Sequence, residues 1–263
     1  MLLDQLTTDI LRHSVNIEHR VRRDHVDVSL KALDELKLMD RFDTKFTFRR
    51  DQLLGILEAM IPRYRLLDVN GVRAHRYKTL YFDTNTLGLY AQHHNGQFTR
   101  HKVRYRSYVD SGLCFFEIKT KNNRGRTRKS RIECEAVRGV IEGAAESLLE
   151  NETPFSPSDL NPILWVEFTR LSFASVCSPE RLTIDLNLSY RTEDAVLQFP
   201  KLGIAEVKRE KSTASSFFID EMRAKRIWEG SMSKYCFGVV NLFPTVKMNL
   251  FKERIRQIKE LAA

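Results

Sequence analysis

Alternation of polar and apolar positions dominates the chain after its first 38 residues. "RFDTKFTF" (41–48) places charged side chains at every second position and phenylalanines at 42, 46 and 48. "HKVRYRSY" (101–108), "LCFFEIKTK" (113–121) and "RKSRIECE" (128–135) alternate in the same way. Because successive side chains of a strand point to opposite faces, each segment predicts a strand with one charged face and one apolar face.

Other segments extend this pattern of elements. Strands are also predicted for "YKTLYFDT", "PILWVEFTRLSFAS", "RLTIDLNLSY", "AVLQF" and "IAEVKRE". Apolar residues at helical spacing predict helices in "RDQLLGILEAMIP", "VRGVIEGAAESLLEN", "STASSFFIDEMRAKRIWEG" and "TVKMNLFKERIRQIKELAA". Scattered apolar positions in residues 1–38 predict one or two amphipathic helices. We therefore divide the chain into an N-terminal helical extension (1–38), one strand-rich domain (39–245) and a C-terminal amphipathic helix (246–263).

The excess of basic residues indicates that the ligand is negatively charged. The chain has 263 residues, of which 42% are hydrophobic, and a formal net charge of +9. Such a basic balance favours polyanions, which include nucleic acid, phosphorylated small molecules and anionic membrane surfaces. No apolar run reaches the roughly 18 residues of a membrane span, and "MLLDQLTTDILRHSV" lacks the pattern of a signal peptide. Four cysteines without a CxxC motif favour a reducing cytoplasm.

The cations are concentrated on particular strand faces. Arg100, Lys102, Arg104 and Arg106 occupy alternate positions and would share one face. One interpretation is that each charged face simply meets water. The other is a closed antiparallel barrel whose outside is covered by helices and whose charged interior holds a large anion. Because the pattern recurs on several strands, we favour the α+β fold with a barrel.

Carboxylates recur beside these cations, at Asp43, Glu117, Glu133 and Glu206. Mg²⁺ or Mn²⁺ is often shared between carboxylates and substrate phosphates, so these four are candidate metal ligands. The alternative for each is an ion pair inside the barrel. No GxxxxGK[ST] or GxGxxG motif occurs, so side chains would have to grip any phosphates.

An ordered set of short motifs resembles a known family. "RFDTKF", "LYFDT", "HKVRYR", "FFEIKTK", "EVKRE" and "SMSKYC" resemble the VTC-type polyphosphate polymerase domain of the triphosphate tunnel metalloenzymes, from about residue 38 to 241. The resemblance implies a closed eight-stranded antiparallel tunnel with helices packed outside. It also implies a divalent metal and transfer of the terminal phosphate of ATP to polyphosphate.

The resemblance also implies roles for individual residues. The phosphate-handling set would be Lys45, Arg104, Arg106, Lys119, Arg131, Arg170, Lys208 and Lys234. Further substrate contacts would come from Arg41, Arg100, Lys102, Lys121, Lys129 and Ser233. Glu206 would be the metal ligand, with Asp43, Glu117 and Glu133 as further candidates. Arg41 replaces the first glutamate of the wider superfamily's ExExK motif, which fits the VTC branch better than the hydrolase branches. Phe168 stands where a tyrosine is expected.

We predict an ATP-dependent polyphosphate polymerase, with a tunnel triphosphatase and a non-enzymatic polyphosphate-binding or polyanion-binding module as the alternatives. Nucleic acid is disfavoured as a partner, because the cations are spread over many strands without in-phase stacking aromatics. The basic amphipathic C-terminal helix also allows contact with a membrane partner. We therefore expect a cytoplasmic location, with the inner face of a membrane as the alternative.

Overall fold

The computed structural model describes residues 26–28, 41–123, 126–210 and 215–262, and for Arg41 the backbone alone. Its strands are β1 (Asp27–Val28), β2 (Arg41–Arg49), β3 (Tyr64–Leu67), β4 (His75–Asp83), β5 (Arg100–Tyr108), β6 (Leu113–Lys121), β7 (Thr127–Cys134), β8 (Asn161–Ser175), β9 (Glu180–Arg191), β10 (Val196–Phe199) and β11 (Leu202–Glu210). Its α-helices are α1 (Leu53–Met60), α2 (Gly88–His94), α3 (Ala144–Glu152), α4 (Phe217–Ala224), α5 (Lys234–Leu242) and α6 (Lys252–Ala262). The α+β class is confirmed.

One large sheet organises the molecule. Eight strands follow one another in the order β2-β11-β9-β8-β4-β5-β6-β7, and all neighbours along this path are antiparallel. Outside the path, β10 pairs with β9, β3 pairs with β8, and β1 runs parallel to β3. The strands predicted from alternation are therefore present.

The predicted closure of the barrel is wrong for the described part of the chain. No backbone pairing there joins β2 to β7, the two ends of the path. Instead a later segment lies on the free edge of β2. Phe46 forms a bridge with Glu229, and the Gly230 N–H donates to the Lys45 carbonyl at 2.8 Å. The edge that barrel closure would need is thus partly covered.

The sheet nevertheless curls strongly. Lys45 on β2 and Thr127 on β7 line the same cavity. In a flat sheet these strands would be roughly 34 Å apart, since neighbouring strands are spaced by about 4.8 Å. The charged side chains of both end strands therefore lie on the inner, concave face.

Three helices cover the apolar, convex face. Helices α1 and α4 pack on the half formed by β2, β11, β9 and β8, where Phe46, Phe173 and Ile184 are fully buried. Helix α3 packs on the half formed by β4, β5 and β6, around Val103 and Phe116. These three helices lie where the sequence predicted outer helices.

Helix α6 and helix α5, which the sequence pattern did not predict, pack instead on the same side of the sheet as the cations. Tyr235 and Phe237 of α5 and Ile258 of α6 are buried against one end of the concave face. The strands contribute apolar residues there, such as Ile204, which is in phase with Glu206 on β11. A hydrophobic end and a charged end therefore share the concave face.

Two other expectations differ in detail. The predicted helices of residues 1–38 lie outside the described residues except at 26–28, where β1 is a strand. The helix expected over "VRGVIEGAAESLLEN" begins only at Ala144. In the described residues, no helix combines the length and the apolarity that crossing a membrane would require.

Candidate active site

The charged side chains predicted from alternation do share one face. Residues directly opposite in antiparallel strands point to the same side. Lys45 lies opposite Glu206, and Arg104 lies opposite Glu117. Following the register across the path places these residues on the concave face: Asp43, Lys45, Arg100, Lys102, Arg104, Arg106, Glu117, Lys119, Lys121, Lys129, Arg131, Glu133, Arg170, Asp185, Glu206 and Lys208.

Glu117 is the centre of one ion-pair network. Its side chain is 1% exposed, and Oε2 accepts from Arg104 Nη2 at 2.7 Å and lies 3.8 Å from Arg106 Nη1. Lys129 Nζ lies 2.5 Å from Oε1. Burial alone would raise the pKa of Glu117, but Arg104, Arg106 and Lys129 outweigh it and lower the pKa to about 2. Glu117 therefore fixes three cations while neutralising one charge.

Asp185 is the centre of a second network. It is 3% exposed, Oδ1 accepts from Arg170 Nε at 2.6 Å, and Oδ2 pairs with Lys234 at the start of α5. Burial would raise the pKa of Asp185, but Arg170 and Lys234 lower it to about 2. The Arg170 guanidinium also lies over the rings of Tyr77 and Phe168, at 5.1 and 5.2 Å. Arg170 is thus held by both charge and cation–π contacts.

Glu206 forms a third group, near the edge of the sheet. Oε2 lies 2.7 Å from Lys208 Nζ, and Oε1 lies 3.7 Å from Lys45 Nζ. Lys208 also lies 3.5 Å from Asp43 Oδ2. Burial would raise the pKa of Glu206, but Lys208 and Lys45 hold it well below its usual range. The carboxylates of Glu206 and Asp43 are therefore bridged by one ammonium group.

Several cations face open space. A cavity of about 680 Å³ is lined on one side by Lys45, Arg100, Lys102, Lys119 and Lys121. Within the described residues, no carboxylate lies within ion-pair distance of Lys102, Lys119 or Lys121. Lys102 Nζ donates instead to Ser233 Oγ at 3.0 Å, and Lys45 Nζ donates to the Met232 carbonyl at 3.2 Å. Lys102, Lys119 and Lys121 therefore have no ion-pair partner among the described groups, although Asp43 and Glu229 also line the cavity.

The local environment opposes these charges. Burial, followed by the repulsion from Lys102, lowers the pKa of Lys119 to about 8. Burial also lowers the pKa of Lys102, with a further contribution from Lys45. Burial and the repulsion from Lys102 lower the pKa of His93, on the same wall, to about 3. An anion in the cavity would relieve this repulsion.

Helix α5 brings two predicted residues to the sheet. Ser233 is its N-cap, and its Oγ accepts from the Cys236 N–H at 3.3 Å. Because Ser233 caps the helix, the next residue, Lys234, projects toward Asp185. The helix start thereby joins the cavity wall at Lys102 to the Asp185 network.

Other predicted residues lie farther along the face. The guanidinium of Arg131 lies over the Phe115 ring at 4.6 Å, and Glu133 is exposed opposite Phe115. Arg41 lies opposite Glu210 in the β2–β11 ladder, and its side chain is outside the described part. Arg131 and Glu133 are therefore on the predicted face without lining the cavity.

Sequence reasoning did not identify Asp185 or Tyr81. The Tyr81 hydroxyl accepts from Arg104 Nη1 at 2.9 Å, and its ring stacks on Tyr235 at 4.9 Å. Burial would raise the pKa of Tyr81, but Arg104 and its neighbours lower it to about 8. The available signals were the lone Asp in "RLTIDLNLSY" and the in-phase tyrosines of "YKTLYFDT".

The carboxylates do not assemble a metal site made of protein groups alone. Among the described residues, no group of three or more His, Cys, Asp or Glu side chains could hold a metal ion. Glu117 is occupied by its three cations, as the ion-pair alternative expected. Glu206 and Asp43 share Lys208, so a divalent ion held there would displace that ammonium group and would need further ligands from substrate phosphates, as is usual for Mg²⁺.

Comparisons with solved structures find remote likenesses. A candidate adenylyl cyclase from Hippeastrum, reported with a dominant triphosphatase activity, is 14% identical, with 77% of this chain and 96% of that chain covered at a TM-score of 0.49. A candidate adenylate cyclase from Bacillus halodurans is 12% identical, with 78% and 97% covered at a TM-score of 0.46. No curated protein matches the chain in sequence.

The comparison with protein families is decisive. The profile described as "VTC domain" matches residues 40–243, which is most of the chain. The match spans β2 to the end of α5 and so contains the whole charged face. The resemblance seen in the sequence is confirmed, and the chain belongs to the VTC domain family.

Proposed function

We propose that this protein is a metal-dependent polyphosphate polymerase that transfers the terminal phosphate of ATP to a polyphosphate chain. One observation carries the proposal: Lys102, Lys119 and Lys121 line one cavity with no carboxylate partner among the described residues. Clustered ammonium groups repel one another and favour a bound anion, and a chain of phosphates supplies several closely spaced charges. Membership of the VTC domain family supports this choice of anion.

The cations divide into two sets with different tasks. Lys45, Lys102 and Lys119 lie on the cavity wall and would bind phosphate oxygens directly. Arg104 and Arg170 are fixed by buried carboxylates and would offer preformed N–H donors next to them. Donors held in place before the reaction stabilise developing charge without reorganisation, which is the main catalytic device in phosphoryl transfer.

In the proposed reaction, an oxygen of the terminal phosphate of the growing chain attacks the γ-phosphorus of ATP. A new P–O bond forms, the bond between the γ-phosphorus and the β–γ bridging oxygen breaks, and ADP leaves with that oxygen. Glu206 and Asp43 would hold a divalent metal, which would supply positive charge to offset that of the phosphates. The lysine and arginine side chains of the protein would hold ATP, the phosphate donor, in line with the end of the polyphosphate chain, the acceptor.

The test is incubation of the purified full chain with ATP and either Mn²⁺ or Mg²⁺, with products sized on a gel and free phosphate assayed in parallel. The expected result is polyphosphate chains that lengthen with time, with one ADP formed for each phosphate added. Free phosphate without chains would identify a triphosphatase, in which water replaces the chain as acceptor. Tight polyphosphate binding with no turnover would identify a binding module.

A further inference from the structure

The cavity beside the cations has a second wall of opposite character. Leu250, Phe251, Ile255 and Ile258, from α6 and the turn before it, line it together with Phe237 of α5. The lysine wall and this apolar wall therefore enclose the same space of about 680 Å³. That volume is within the range of about 300–1,000 Å³ that is typical of small-molecule sites.

The apolar wall is held in position by contacts outside the cavity. The Leu250 N–H donates to Nε2 of the buried His94 at 3.3 Å, which fixes the turn before α6. The Phe251 ring packs edge-on against His94, with ring centroids 5.2 Å apart, and against Tyr90 at 6.3 Å. The Leu250 side chain itself is 69% exposed. An exposed leucine on a fixed backbone is available to a ligand.

An inorganic phosphate chain gains nothing from such a wall, because it has no apolar surface. A nucleoside triphosphate has both parts: a chain of phosphates and a planar base with two apolar faces. From this match we infer that the wall around Leu250 and Phe251 binds the base of the nucleoside triphosphate, while the lysine wall binds its phosphates. The inference rests on the proposed function and adds that the cavity selects a nucleotide over a bare triphosphate.

The test compares two ligands that differ only in the nucleoside. Binding of ATP and of inorganic tripolyphosphate to the full chain is measured by titration calorimetry with Mg²⁺ present. In wild type, ATP should bind at least about fivefold more tightly, since stacking of a base on an aromatic side chain contributes about 1–3 kcal/mol. Leu250→Ser should weaken ATP binding about fivefold and leave tripolyphosphate unchanged, whereas Leu250→Phe should restore the preference.

Val196→Ser is the matched control, because Val196 on β10 is 64% exposed and does not line the cavity. It should change neither affinity. Equal losses for both ligands in Leu250→Ser, or ATP binding no tighter than tripolyphosphate in wild type, would overturn the inference and leave the phosphate site intact. Absence of binding by both ligands in wild type would overturn the proposed function as well.

Discussion

Arg170 and Asp185 face each other on neighbouring strands and form a two-point ion pair. Arg170 Nε lies 2.6 Å from Asp185 Oδ1, and Nη2 lies 2.7 Å from Oδ2. Such parallel N–H···O bonds fix the plane of the guanidinium group. Because Asp185 also pairs with Lys234, it connects the sheet to the start of α5.

Asp185→Asn should destabilise the fold strongly. The substitution keeps the shape of the side chain but leaves the half-buried Arg170 and Lys234 beside each other without their counter-charge. Breaking a buried ion pair costs about 3–5 kcal/mol, and urea denaturation should show this loss in the free energy of unfolding. Asp51→Asn is the control: its pair with Arg49 is 58% and 62% exposed and should contribute under about 1 kcal/mol. Equal effects would argue against a special role for Asp185.

Lys119→Gln should separate binding from stability. Losing an ammonium group that other cations repel should leave the free energy of unfolding unchanged or higher. Tripolyphosphate affinity should fall about tenfold to a hundredfold, since a hydrogen bond to a charged group contributes about 1.5–3 kcal/mol. Calorimetry with Lys78→Gln as the control checks this, because Lys78 pairs with Glu167 and does not line the cavity. Unchanged affinity in Lys119→Gln would place the phosphates elsewhere.

Anion binding should depend on pH through Lys119. Its pKa is about 8 in the free protein, and a bound anion would raise it. Below pH 8 the ammonium is already charged, so affinity should be flat. As pH rises above 8, binding must take up a proton, and affinity should weaken by up to about tenfold per pH unit. Lys119→Arg stays charged throughout, so a tripolyphosphate titration from pH 7 to 10 should show a smaller slope for this variant.

Glu206→Gln should remove the response to metal. Without its carboxylate, the pair with Asp43 can no longer supply two ionised oxygens to a divalent ion. Tripolyphosphate binding without metal should persist or tighten, because Lys45 and Lys208 lose a competing anion. The stimulation of turnover by Mn²⁺ should disappear. Wild-type metal dependence in this variant, measured as turnover against metal concentration, would reject Glu206 as a ligand.

Arg254 should control how firmly α6 is attached. Its guanidinium donates to Thr47 Oγ1 at 2.9 Å and to the Ser231 carbonyl at 3.2 Å. Arg254→Ala should cost about 1–2 kcal/mol and speed amide hydrogen exchange in α6. Arg256→Ala is the matched control, because the partners of Arg256 among the described residues are Glu253 and Glu260 of the same helix. Equal exchange in both variants would mean that apolar packing alone holds α6.

The strands of the charged face were predictable because their signal is local. A two-residue period is visible in the sequence wherever one face is charged and the other apolar, as in β5 and β6. For Glu117 the sequence left two roles open, metal ligand and ion-pair partner, and could not decide between them because its partners Arg104 and Lys129 come from the two neighbouring strands. Asp185 was missed for the same reason, since its partners lie on β8 and α5.

The open sheet depends on a contact that no local pattern encodes. Glu229 and Gly230 reach the edge of β2 from more than 180 positions away in the chain. The amphipathic pattern of α6 predicted that one face of the helix would be buried. It did not indicate whether that face would pack on the concave or the convex face of the sheet. The cavity and its apolar wall follow from that choice, so they could be found only in the structure.

Because several cations share one carboxylate, the acidic and the basic residues of the charged face differ in how well they tolerate substitution. Glu117 holds three cations and Asp185 holds two, so losing either acid releases several neighbours together. Losing one cation leaves the rest of its group in place. Substituting Glu117 or Asp185 should therefore disturb more of the charged face than substituting any single cation, although neither acid meets substrate in the proposed reaction.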